Sequence, residues 1–190
     1  MKKLFTIGAL FMLFGCSSID VKTYEGKTPE VTLKGFYSEP VHGYGFFQNR
    51  SGEITDRYYA YLIPKWNGNE GTIHEKQWKE DGKLLLEQTW NVKLAPDGKS
   101  FTATGDKIVG EMKGKSAGYA FNMKYSMMIP RGDTGKEIEL DANDWTFLQP
   151  DGAGFNKISL SKFGIHVGDV TYILRKLAPG EKINEGYLPK

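Results

Sequence analysis

The chain contains little cysteine, little net charge and few long apolar runs. Its one cysteine, Cys16, excludes any disulfide within the chain. The 25 basic and 23 acidic side chains give a formal charge of only +2, which argues against a nucleic-acid-binding surface. After residue 15, no apolar run approaches the ~20 residues that a transmembrane helix needs. We therefore expect one globular domain without disulfides or membrane-spanning helices.

The N-terminus has the pattern of an export signal. Lys2 and Lys3 precede a mostly apolar stretch over residues 4–14, which is long enough for a signal peptide but too short for a membrane span. The motif Leu13-Phe14-Gly15-Cys16 is similar to the lipobox of bacterial lipoproteins, in which the cysteine thiol is acylated. We predict a lipoprotein signal peptide over residues 1–15 and a lipid on Cys16. The alternative is an ordinary secretory signal.

The residues after the cysteine predict a location and a spacer. Ser17 stands where an aspartate would mark retention in the inner membrane, so the similarity to bacterial lipoproteins implies the outer membrane, on its periplasmic face. Residues 16–30 contain Asp, Lys, Thr, Gly and Pro with little periodicity. We expect them to form a lipidated tether that spans at most about 46–50 Å when extended.

Apolar and polar residues alternate with period two in the rest of the chain. Residues 84–94 and 119–129 each place a largely apolar set on one face and a polar set on the other, as in half-buried strands. Turn sequences such as Asp81-Gly82 and Pro96-Asp97-Gly98 separate these runs at hairpin spacing. Long helical periodicity is lacking between the turns, so parallel crossovers are not needed.

This pattern predicts an all-β fold. A meander of consecutive antiparallel strands loses its unpaired edges most simply by closing on itself. We predict an antiparallel, up-and-down, lipocalin-like β-barrel of about 8–10 strands over residues 31–177, followed by a polar tail over residues 178–190. An outer-membrane β-barrel is the alternative, but Glu87, Lys93 and Lys124 would then lie on faces that lipid must touch.

Four residues on the predicted inner face are candidate ligand contacts. Trp90, Tyr119, Met123 and Tyr125 combine aromatic area with the unbranched side chain of methionine, which adapts to ligands of varied shape. They could equally fill the barrel. A barrel of this size either packs solid or leaves room for one small ligand, so the sequence does not choose between a cavity and a solid core.

Asp144 and Arg175 are candidate polar residues of the same site. A guanidinium offers two parallel donors to a carboxylate, so the pair could anchor a ligand carboxylate inside the barrel. The alternative is a structural ion pair near the closing strand.

Motifs of catalysis and metal binding are weak. Residues 114–118 match the G-x-S-x-G pattern of a nucleophile elbow, but a strand rather than a helix follows, which favours a hairpin turn. The three histidines His42, His74 and His166 lack metal-motif spacing. We expect no cofactor, no metal and no catalytic activity.

Short motifs occur along the chain: Gly43-Tyr44-Gly45-Phe46, Asn49-Arg50-Ser51-Gly52, Trp66-Asn67-Gly68, Asp144-Trp145, Ser161-Lys162-Phe163-Gly164, Gly168-Asp169-Val170-Thr171 and Arg175-Lys176. Their combination resembles an uncharacterised family of bacterial lipoproteins of lipocalin-like fold, domain of unknown function 3833. The resemblance implies a lipocalin-like periplasmic domain and brings no assigned activity. Asn143 stands where relatives more often have a second acidic residue, which weakens a paired-carboxylate role there.

From the sequence we expect a non-catalytic lipoprotein, attached to the membrane through Cys16, whose barrel binds a small hydrophobic ligand such as a lipid or fatty acid. The alternative is a structural or protein-interaction module of the cell envelope with no ligand cavity. Nucleic acid is not expected as a partner.

Overall fold

The fold was analysed in a computed structural model, which describes residues 19–131 and 134–183. The predicted signal peptide, Cys16 and residues 184–190 of the predicted tail lie outside the described residues. The ten strands are β1 (Val41–Asn49), β2 (Ile54–Asn67), β3 (Glu70–Lys79), β4 (Leu84–Leu94), β5 (Ser100–Gly105), β6 (Ile108–Ala117), β7 (Ala120–Pro130), β8 (Glu137–Leu148), β9 (Gly154–Lys162) and β10 (Ile165–Lys176). A 3-10 turn, Val21–Tyr24, and a one-turn helix α1, Leu33–Phe36, precede them.

The strands form one closed antiparallel barrel. Each strand pairs with the next in the chain, and β10 pairs with β1, with Val41 opposite Lys176. The closure leaves no unpaired sheet edge. The predicted all-β, up-and-down barrel is therefore confirmed, with ten strands and a lipocalin-like arrangement.

The alternation in β4 shows how the sequence directs each strand. Leu86, Gln88, Trp90 and Val92 are buried and face the interior, whereas Glu87 between them is exposed. Because successive side chains of a strand point to opposite faces, this pattern determines which face of β4 lines the interior.

One end of the barrel, which we name the closed end, is plugged by α1. The Thr32 side chain caps the helix by accepting a hydrogen bond from the Gly35 N–H at 3.0 Å. Leu33 and Phe36 are buried within the barrel, and the Phe36 ring lies 5.8 Å from the Phe121 ring. A Cβ at Gly154 would lie 2.4 Å from the Phe36 ring, so glycine is needed there for the plug to approach the wall.

The N-terminal segment, defined as residues 19–31, packs against the outside of the closed end. Val21 is buried in a cluster with Ala117 and Ala120, and the Tyr24 ring lies 5.1 Å from that of Tyr119. Apolar side chains therefore hold the described part of the predicted tether on the barrel, so this part does not add to the free length of a tether. In the described part of the chain, no helix has the length and apolar character to span a bilayer.

Candidate functional site

The barrel encloses a cavity of about 380 Å³. It extends from Tyr37, above the plug, to Pro130 and Arg131 at the opposite end of the barrel, which we name the mouth. Most of the wall is apolar or aromatic, with contributions from nearly every strand. The apolar lining includes Phe47, Leu62, Leu86, Met127, Ile129, Ile138, Leu140, Ile158, Leu160, Val170 and Leu174.

The mouth carries exposed apolar side chains on several strands and turns. Phe163, in the turn between β9 and β10, is 88% exposed and has a left-handed backbone with φ 53°. Other large exposed apolar residues begin strands at the same end: Ile54, Leu84, Val109 and Ile165. The entrance is thus apolar like the cavity behind it.

Asp144 places a carboxyl group in the cavity wall. It is only 3% exposed, and its Oδ1 accepts a hydrogen bond from Asn156 Nδ2 at 2.6 Å, while its Oδ2 accepts one from the Tyr125 hydroxyl at 3.1 Å. Burial raises the pKa of Asp144 to about 7, the two hydrogen bonds oppose that shift, and the nearby charge of Glu75 adds to it. Asp144 therefore titrates near neutral pH.

Glu75 on β3 supplies a second buried carboxyl group. Its Oε1 accepts a hydrogen bond from Gln77 at 2.5 Å, and its Oε2 accepts one from Gln88 at 2.7 Å. The Tyr172 hydroxyl donates to Gln77 Oε1 at 3.1 Å, which extends the network across the interior to β10. Burial raises the pKa of Glu75, and these amide donors oppose the rise.

The interior has no basic side chain to balance these acids. Among the described residues that line the cavity, the one basic side chain is Arg131, which lies at the mouth. Burial and the charges of Asp144 and Glu75 together raise the pKa of Tyr37 and Tyr125. The acidic side chains therefore dominate the electrostatic potential inside the cavity.

The structure brings three of the predicted site residues together. Trp90, Tyr125 and Asp144 all line the cavity. Met123 also faces inward, but it is fully buried in the packed core and does not line the cavity.

Two predicted placements are wrong. Tyr119 belongs to the turn between β6 and β7, where the strand alternation stops, and its ring packs outside the barrel against Tyr24. Arg175 follows the inward-facing Leu174, so strand alternation points it outward. Its guanidinium makes two hydrogen bonds to the Glu181 carboxylate, at 2.6 and 2.8 Å, rather than contacting Asp144. This pairing holds the pKa of Glu181 at about 2.

Sequence reasoning missed three further polar residues of the cavity, Glu75, Gln88 and Asn156. Gln88 and Asn156 occupy inward positions on strands whose other inward residues are mostly apolar. A polar residue that interrupts the apolar face of an alternating strand is the signal that could have found them. Gln88, between Leu86 and Trp90, is the clearest case.

The remaining motifs have structural explanations. The predicted hairpin turn is confirmed for Gly118 of the G-x-S-x-G sequence, which has φ 53°, but is wrong for residues 114–117, which belong to β6, where Ser116 is buried opposite Phe121. His42 Nδ1 lies 3.1 Å from the Tyr59 hydroxyl, and burial lowers the pKa of this histidine. Within the described ranges, no group of three or more His, Cys, Asp or Glu side chains could hold a metal ion.

Comparison with known proteins identifies the family. A search of curated proteins finds no match. The model of a family described as protein of unknown function (DUF3833) matches residues 10–176, which include all ten strands. The chain therefore belongs to the DUF3833 family of proteins of unknown function.

Proposed function

We propose that this protein is a non-catalytic lipoprotein, anchored through acylated Cys16 on the periplasmic face of the outer membrane, whose barrel binds a small hydrophobic ligand. The observation that carries the proposal is the cavity of about 380 Å³, which falls in the ordinary range of small-molecule sites. Its wall is mainly apolar, with a few convergent polar groups, which is the usual composition of such sites.

The cavity also separates this proposal from its alternative. An envelope interaction module with a solid interior would fill the barrel with side chains, as the plug does at the closed end. Absence of catalysis is part of the proposal because the motif serine, Ser116, is buried within strand β6, and because both cavity carboxyls accept hydrogen bonds from the wall.

Two measurements test ligand binding. Organic extraction of the domain purified from its native host, followed by mass spectrometry, should give a stoichiometric apolar compound. Titration with the neutral fluorophore N-phenyl-1-naphthylamine should give a saturable signal that Met127→Trp weakens, because Met127 lines the cavity. Ile173→Trp adds the same ring at an exposed site on the outer face of β10 and should leave binding unchanged. A blank extract together with no saturable signal would refute the proposed binding.

The anchor is tested separately. Cys16→Ser should abolish metabolic labelling with palmitate and release the protein from the outer-membrane fraction. Outer-membrane fractionation of an unlabelled Cys16→Ser protein would contradict the lipoprotein assignment without bearing on the cavity.

A further inference from the structure

Most hydrogen-bond donors of the cavity wall point at its two carboxyl groups. The indole Trp90 Nε1 is a buried donor of the lining without a partner within hydrogen-bond distance among the described residues, but it too acts on Glu75 and lowers the pKa of that group. Around Asp144, the Tyr125 hydroxyl and the Asn156 amide both donate to the carboxyl group. The Asn156 amide also donates to Thr146 Oγ1 at 3.1 Å, so its donor capacity is spent on the wall. Each carboxylate oxygen accepts more than one hydrogen bond, and Asp144 thus retains acceptor capacity toward the cavity.

The opposite side of the cavity repeats this arrangement. Gln77 and Gln88 both donate to Glu75, and the Tyr172 hydroxyl donates to Gln77. Gln88 is only 3% exposed, and its Oε1 is a buried acceptor for which the described residues provide no donor. A buried polar atom without a partner costs free energy, so this oxygen marks a place where a ligand donor would be stabilised.

The charges of the cavity lining also favour a ligand group that donates hydrogen bonds. The charge of Glu75 on β3 raises the pKa of Asp144 on β8, and the one basic side chain among the described lining residues is Arg131 at the mouth. Removing two carboxylates from water without a counter-ion is unfavourable, and a cation between them would relieve it. A carboxylate ligand at this depth would instead gain no opposite charge and would raise the pKa of both acids further.

We propose, on the basis of the hydrophobic-ligand function above, that the deep part of the cavity binds the protonated amine of an amphiphile whose apolar chain extends toward the mouth. Asp144 and Glu75 are its counter-ions, and Gln88 Oε1 accepts one further hydrogen bond from the ammonium group. The apolar side chains between this layer and the mouth, including Met127, Ile138 and Leu160, contact the chain. The ligand class expected from the sequence, a fatty acid with a buried carboxylate, does not suit this lining.

Competition against bound N-phenyl-1-naphthylamine tests the head group at constant chain length. Decylamine, decanol and decanoic acid are compared at pH 7.5, each below its micelle concentration. We expect decylamine to compete at least 10-fold better than decanoic acid, with decanol between them. Equal or better competition by decanoic acid would overturn the inference. Loss of fluorophore binding itself would instead count against the proposed function.

Isosteric variants test the two carboxyls. Asp144→Asn and Glu75→Gln keep the side-chain size, remove the charge and replace one acceptor oxygen by an NH2 donor, so each should weaken decylamine competition about 10-fold while decanol stays unchanged. Asp141→Asn, on the outer face of the same strand as Asp144, is the matched control and should change neither compound. An equal loss for decylamine and decanol in both cavity variants would show a structural role only and would contradict the proposal.

Discussion

The closed end and the mouth half of the barrel use the same ten strands to opposite effect. At the closed end, α1 fills the interior with Leu33 and Phe36, which pack against Phe121 and leave little space. Toward the mouth, the same wall surrounds a cavity with two buried acids. Close packing gives stability, whereas buried acids without counter-ions reduce it. The comparison indicates that the closed end stabilises the fold and the mouth half provides the site.

Phe36→Ala, in the plug of the closed end, should cause the largest loss of stability. Removing a fully buried ring from the plug should destabilise the protein by about 3–5 kcal/mol, because a cavity replaces close packing. Urea unfolding measures the change. Phe155→Ala, on the exposed outer face of β9, is the control and should change stability by about 0.5 kcal/mol or less. Similar losses in both variants would mean that the plug is not a special source of stability.

The pH dependence of stability tests the mouth half. Burial raises the pKa of Asp144 from 3.8 to about 7, so the folded protein binds this proton more tightly than the unfolded chain does. The free energy of unfolding should therefore fall as pH rises from about 4 to 7, by about 1.4 kcal/mol for each unit of pKa difference, and level off above that range.

Asp144→Asn should remove the part of this slope that Asp144 contributes, as measured by urea unfolding at a series of pH values. Glu75 adds a contribution of the same sign, because burial raises its pKa too. Asp141→Asn should keep the wild-type slope. An unchanged slope in Asp144→Asn would show that Asp144 is not the group that links stability to pH.

Gly118→Ala should loosen the N-terminal segment from the closed end. The new Cβ would lie 1.9 Å from the Tyr24 carbonyl oxygen, whereas Gly98→Ala, at a similar left-handed φ, meets no atom within 4 Å. Both variants should lose about 1 kcal/mol from the backbone conformation. Only Gly118→Ala should also speed tryptic cleavage after Lys22 and Lys27. Equal cleavage rates in the two variants would argue that the segment is held elsewhere.

Arg175→Ala should have the smallest effect. The Arg175–Glu181 pair is exposed, and such pairs contribute little to stability. We expect no measurable change in the urea midpoint or in N-phenyl-1-naphthylamine binding. A loss of binding would restore the sequence-based assignment of Arg175 to the site.

The strands were predictable because their side chains alternate locally. The β4 bounds, Leu84–Leu94, coincide with the alternating run, and the predicted run over residues 119–129 differs from β7 by one residue at each end. Tyr119 was wrongly predicted to face the interior because the predicted strand began one residue too early, in the turn between β6 and β7.

The site was less predictable because it depends on closure of the barrel. Glu75 lies in a strand that carries charged residues on both faces, so its burial appears only when β3 is curved against its neighbours. The cavity volume depends on the plug as well, and α1 has too few residues to give a helical periodicity. Asp144 and Trp90 were found because each stands out on its own strand.

The docked N-terminal segment determines how far the barrel stands from a lipid anchor. Two residues separate Cys16 from Ile19, so the free connection spans at most about 10 Å instead of the length of the whole predicted tether. With Cys16 acylated, as proposed, the closed end would rest near the bilayer surface and the mouth would point away from it. A ligand bound in the barrel would then leave toward the aqueous compartment rather than directly into the anchoring membrane.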